Sequence, residues 1–73
     1  MNSTTQGTDV SMPDDITSPR AKLVYFYLAT RDGATADELR AELDISKGSV
    51  LSITGTLRDR GHITHRNETY ELS

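Results

Sequence analysis

Three helix-start signals crowd the stretch 18–46, and they leave room only for short helices. Ser18 can cap, and Pro19 suits the first helical position. A helix therefore begins at Pro19 and stops before Arg31-Asp32-Gly33, where Gly33 supplies the left-handed terminal residue. Thr35 caps a second helix over residues 36–43, and Glu38, three residues on, completes a capping box. Ala36, Leu39 and Leu43 are spaced for one buried stripe of that helix. Asp44-Ile45 makes a short turn. Ser46 then caps a third helix from Lys47 to about Arg60, ended by Gly61, with Val50, Ile53, Thr54 and Leu57 on its inner side.

Beyond Gly61 the period changes from helical to alternating. Residues 62–66 and 69–72 read as two strands around Asn67-Glu68. A two-residue loop pairs Arg66 with Thr69, His65 with Tyr70, Thr64 with Glu71 and Ile63 with Leu72. This register puts Ile63, His65, Tyr70 and Leu72 on one face, and Thr64, Arg66, Thr69 and Glu71 on the other. One apolar and one polar face is what a half-buried hairpin requires. Asn-Glu is a weaker turn signal than Asn-Gly, so a loop of three or four residues is the alternative.

The chain has 73 residues and no Cys, so one domain must fold without cross-links. Residues 1–17 are mostly Ser, Thr, Asn, Gln, Gly, Asp and Pro, and their apolar members follow no period. Such a segment offers too little apolar surface to offset its ordering entropy, and it reads as a disordered acidic tail before a domain spanning 18–73. The net charge of −3 lies in that tail, at Asp9, Asp14 and Asp15. The remainder is neutral overall but polarised. Residues 46–66 hold Lys47, Arg58, Arg60 and Arg66 against Asp59, whereas residues 32–44 hold five acids against Arg40. No apolar run approaches the roughly 20 residues of a membrane span. No basic-then-apolar leader opens the chain, which points to the cytoplasm.

Helix, helix, short turn, helix, hairpin gives an α+β class, mainly α. The segment TADELRAELDISKGSVLSITGTLRDRGHI, residues 35–63, resembles the winged helix-turn-helix domains of MarR, ArsR and TrmB-like transcription regulators. The matching features are Thr35-Ala36-x-Glu38-Leu39, Leu43-x-Ile45-Ser46, Ser46-Lys47-Gly48-Ser49-Val50 and Leu57-Arg58-Asp59-Arg60-Gly61-His62-Ile63. The resemblance covers residues 18–73. It implies three helices followed by a two-stranded β-wing, with the third helix in the DNA major groove and the wing on the flanking backbone. Carried over, it assigns contact with double-stranded DNA to Lys47, Ser49, Ser52, Thr56 and Arg66. Lys47 and Arg66 would neutralise phosphates; Ser49, Ser52 and Thr56 would donate to phosphates or base edges. Family members often carry Arg, Gln or Asn near positions 52, 55 and 56. Here Ser52, Gly55 and Thr56 cannot make their bidentate base contacts.

The first helix holds six consecutive apolar or aromatic residues, Leu23 to Leu28, and one stripe can bury about half of them. Leu23, Val24, Tyr27 and Leu28 suit the core, which turns Tyr25 and Phe26 outward; the alternative exchanges Phe26 and Tyr27. Tyr25 and Phe26 are thus the candidate interface of a homodimer through the first helix, the rival being a thick core. A winged-helix module that binds another protein, with little or no sequence-specific DNA binding, is the alternative function. His62 and His65 fall on opposite sides of a strand and cannot share a metal. No phosphate loop, nucleophile-base pair or cofactor motif is present, so neither an enzyme, a cofactor nor a small-molecule substrate is expected. Ten Thr, seven Asp and only two Lys resemble the composition of proteins from salt-loving archaea.

Overall fold

A computed structural model describes residues 12–73, so the tail reading of residues 1–11 lies outside the described residues. Each helix begins where its cap forms. Ser18 accepts the Ala21 N–H at 3.4 Å and starts α1 (Pro19–Arg31). Thr35 accepts the Glu38 N–H at 3.1 Å while Glu38 accepts the Thr35 N–H at 2.9 Å, and this capping box starts α2 (Ala36–Leu43). Ser46 accepts the Ser49 N–H at 3.1 Å and starts α3 (Lys47–Asp59).

The helix ends are equally local. At α3 the His62 N–H reaches the Leu57 carbonyl and the Gly61 N–H the Arg58 carbonyl, both at 2.9 Å. Those are the two bonds of a Schellman motif, with Gly61 at φ 79°. At α1 the left-handed cap is Asp32, at φ 63°, rather than Gly33. Gly33 follows at φ 109°, and a Cβ there would lie 3.2 Å from Tyr70 O, Thr69 Cγ2 and Glu71 Cγ. Its own dihedral therefore favours glycine, and a Cβ would in addition press on the C-terminal strand.

That approach creates a strand absent from the sequence expectation. Ala34 and Thr35 form β1 (Ala34–Thr35), which joins β2 (Ile63–Arg66) and β3 (Thr69–Leu72) in a three-stranded antiparallel sheet of order β1-β3-β2. Ala34 sits opposite Tyr70, and Thr35 opposite Thr69. The β2–β3 hairpin has the expected register: Ile63 with Leu72, Thr64 with Glu71, His65 with Tyr70 and Arg66 with Thr69. Its two-residue loop places Asn67 at φ 50° and Glu68 at φ 66°, the positive values a tight hairpin turn needs. Glu68 carries a Cβ in that region, which is unfavourable. Glu68→Gly is expected to raise unfolding free energy by about 0.5–1 kcal/mol, read by urea denaturation; a loss of stability would refute the turn geometry.

One cluster forms the core: Ile16, Val24, Leu28, Ala34, Leu39, Val50, Leu57, Ile63 and Tyr70. Thr54 is buried with it, and its hydroxyl donates to the Val50 carbonyl at 2.7 Å. Two expectations change here. Ile16 is only 4% exposed, and Met12 also packs on the cluster. Within the described residues, Met12 and Ile16 of the expected tail therefore pack on the core, because an isolated apolar side chain found a place that no local pattern announces. On α1, Val24 and Leu28 are the buried pair, with Ala21 and Tyr25 beside them at helical spacing. Tyr25 packs on the core, edge-on to His62 at 6.3 Å between ring centroids, whereas Leu23 is 53% and Phe26 48% exposed. The outward pair is Leu23 and Phe26, not Tyr25 and Phe26.

The architecture is mainly helical α+β and compatible with a winged helix, with three strands where two were expected. Among the described residues, no helix is long and apolar enough to cross a membrane.

Candidate nucleic-acid interface

The outer surface of α3 divides into three stripes by its 3.6-residue period. Lys47, Leu51 and Arg58 lie along the edge nearest the hairpin, interrupted by buried Thr54 between Leu51 and Arg58. Lys47 and Leu51 line a cleft with His65 and Glu68 of the hairpin and with Thr35, Ala36 and Asp37 at the start of α2, and Arg58 Nη1 lies 3.5 Å from His65 Nδ1. The His65 ring is exposed on one side and stacked on Tyr70 on the other, with centroids 4.1 Å apart and planes 11° from parallel. Leu51, 49% exposed, thus lines a cleft between α3, the start of α2 and the hairpin.

The central stripe is Gly48, Ser52, Gly55 and Asp59. Nothing lies within 4 Å of a Cβ built at Gly48 or Gly55, so neither glycine is demanded by packing inside the chain. The face is thin and open, with Ser52 at its middle. The third stripe holds Ser49 and Thr56. The Ser49 hydroxyl accepts from Ser46 Oγ at 3.0 Å and keeps its own proton to donate. Thr56 lines a small cavity with Asp15, Ile16 and Arg60. The structure therefore brings Lys47 close to the hairpin, centres Ser52 on the open face, and sets Ser49 and Thr56 along the far edge. Arg66, at the hairpin tip, is 75% exposed and 3.5 Å from Glu71.

Charge is distributed less evenly than the sequence count implies. Among the described residues, Lys47 and Arg58 have no carboxylate partner. Arg60 does: its guanidinium donates to the Asp15 carbonyl at 2.8 Å and to Asp15 Oδ2 at 3.2 Å. His62 Nε2 lies 2.8 Å from Asp15 Oδ1. The cations available on this side are thus Lys47 and Arg58, with Arg66 in part. Arg58 and the His65–Leu51 cleft extend the residue set assigned from the sequence. The i, i+4, i+11 spacing of Lys47, Leu51 and Arg58 was the signal for them.

Desolvation pushes the Asp15 carboxyl up, but its hydrogen bond and charge interaction with His62, then its bond from Arg60, outweigh that and hold it below the ordinary value. A lowered carboxylate contributes stability that is complete above the ordinary aspartate value of about 3.9 and is lost as pH falls through the folded value. The melting temperature of Asp15→Asn, followed between about pH 6 and 2, is expected to fall less steeply on the acid side than that of the parent. Parallel acid limbs would show that the contact does not form.

Among the described residues, no three His, Asp or Glu side chains gather where they could hold a metal ion. Compared with protein-family models, curated proteins and solved structures, the chain matches none.

Proposed function

We propose that this chain is a small duplex-DNA-binding regulator of winged-helix type, with α3 in the major groove and the β2–β3 hairpin as the wing on the flanking backbone. The observation that supports it best is the Lys47–Leu51–Arg58 stripe. It places two unpaired cations along the edge of α3 that faces a hairpin whose tip carries Arg66. Phosphates on either side of a groove would meet cations from helix and wing together. The open Gly48–Ser52–Gly55 face lets the helix backbone sit close to base edges. It offers hydroxyl contacts but no bidentate reader, so affinity would exceed sequence discrimination. A protein in this role would work in the cytoplasm of a cell without a nucleus. In molar salt its phosphate term would shrink, leaving hydrogen bonds and shape.

Fluorescence anisotropy with a mixed-sequence duplex tests this reading. Binding should weaken as salt rises, and Lys47→Ala and Arg58→Ala should each reduce the log–log salt slope by about 1. Arg66→Ala should have a similar or smaller effect, since Glu71 already shares its charge. Absence of duplex binding at low salt by folded protein would end the proposal. The alternative, an interaction module without DNA binding, draws on the exposed Leu23 and Phe26.

A further inference from the structure

The outer face of α1 carries an apolar stripe that no other described element covers. Pro19, Leu23, Phe26 and Thr30 recur at spacings of four, three and four along the helix, and all are exposed. Leu23 and Phe26 present about half of their surfaces to solvent. Arg20 falls on one side of this stripe by helical period and Lys22 on the other. Arg31 extends the Arg20 side, with its guanidinium 5.1 Å from the centroid of the Tyr27 ring. α1 contains no Asp or Glu, and none of its three cations forms an ion pair among the described residues. Two large apolar side chains are therefore bordered on both sides by unneutralised positive charge.

We infer that this face docks an acidic amphipathic segment of a partner protein. Apolar side chains of the segment would cover Leu23 and Phe26, while flanking Asp or Glu would meet Arg20, Lys22 and Arg31. Charge decides the occupant. A two-fold pairing of α1 with a second copy would set its three cations against the same three, because a two-fold interface is self-complementary only if it tolerates its own charge. The acidic helix of a second copy fits no better. The exposed positions of α2 are Asp37, Glu38, Arg40, Ala41 and Glu42, with no large apolar side chain to meet Leu23 and Phe26. An anionic membrane would gain little from two side chains on a helix whose opposite face is locked in a core. Two anchors bordered by charge suit a weak, reversible contact rather than a permanent one.

The test is a selection from a library of random amphipathic helical peptides on the immobilised full chain, followed by NMR titration of the enriched peptides. The expected winners carry apolar residues at helical spacing flanked by Asp or Glu. They should shift resonances of residues 19–31, with micromolar dissociation constants. Affinity should drop at least tenfold in a Leu23→Ser/Phe26→Ser double variant and in an Arg20→Glu/Lys22→Glu double variant. Both sets are exposed, and circular dichroism melting will confirm that the variants remain folded. Four results would each overturn the inference: winners without acidic bias, winners that map away from α1, no winners, or equal binding by the double variants. Sedimentation of the free chain covers the second-copy case, since self-association abolished by Leu23→Ser/Phe26→Ser would also overturn it. Flotation with vesicles containing phosphatidylglycerol covers the membrane case in the same way.

Discussion

Leu28→Ala is expected to leave the domain largely unfolded, or close to it, at room temperature. Leu28 is 1% exposed and belongs to the core cluster. Truncating a buried leucine costs about 2–5 kcal/mol, from lost transfer energy and the cavity left behind. A domain of this size without cross-links holds only roughly 3–5 kcal/mol in total. The loss therefore approaches the whole stability. Leu23→Ala, five residues earlier on the same helix, should change stability by no more than about 0.5 kcal/mol, since Leu23 faces solvent. Urea denaturation followed by circular dichroism separates the two. Equal effects would mean that α1 buries a different face.

Ile16→Ala should cost about 2–3 kcal/mol, although the residue precedes every described helix and strand. Ile16 packs in the core cluster with Leu57, Ala21 beside them, and its own N–H bonds the Pro13 carbonyl at 3.2 Å. Asp15, next to it, holds Arg60 and His62 from the C-terminal end of α3. Thr17→Ala, at an exposed neighbour, should be close to neutral and serves as the control. A neutral Ile16→Ala would show that the segment before α1 contributes nothing to the core. The consequence for design is direct. Removing residues 1–17 to test whether N-terminal acidity restrains DNA binding would also remove core. The cut must fall before Met12.

The three helices were legible because their starts depend on local chemistry. Ser18, Thr35 and Ser46 cap through bonds three residues away, and no distant contact alters that. The hairpin register was legible because a slip of one residue would have exchanged Ile63 and Tyr70 for Thr64 and Thr69 in the core. What escaped has no local period. Two residues are too few for β1 to show alternation, and its existence depends on β3 arriving from the far end of the chain. Ile16 stands alone among polar neighbours. The unbroken apolar run in α1 concealed its own orientation, so Leu23 and Tyr25 exchanged places relative to expectation. For the candidate interface, the Lys47 position and the hairpin cation Arg66 could be read from order alone. The pairing of Arg60 with Asp15 could not, because those residues are far apart in sequence and meet only through the buried Ile16 segment.

Strand order has a further meaning for how the sheet assembles. The strand that comes last in the chain, β3, is the one in the middle, and β1 and β2 share no ladder. Among the described residues, neither outer strand has a ladder partner until β3 is in place. Half a sheet on the β1 side cannot form early and wait, because its partner β3 lies more than thirty residues downstream. Such long-range closure is slow relative to forming capped helices. Assembly of this molecule should thus resemble a zip fastened from its final tooth: the helices gather first, and the hairpin, when it closes, recruits Ala34 and Thr35 and locks both ends of the body at once.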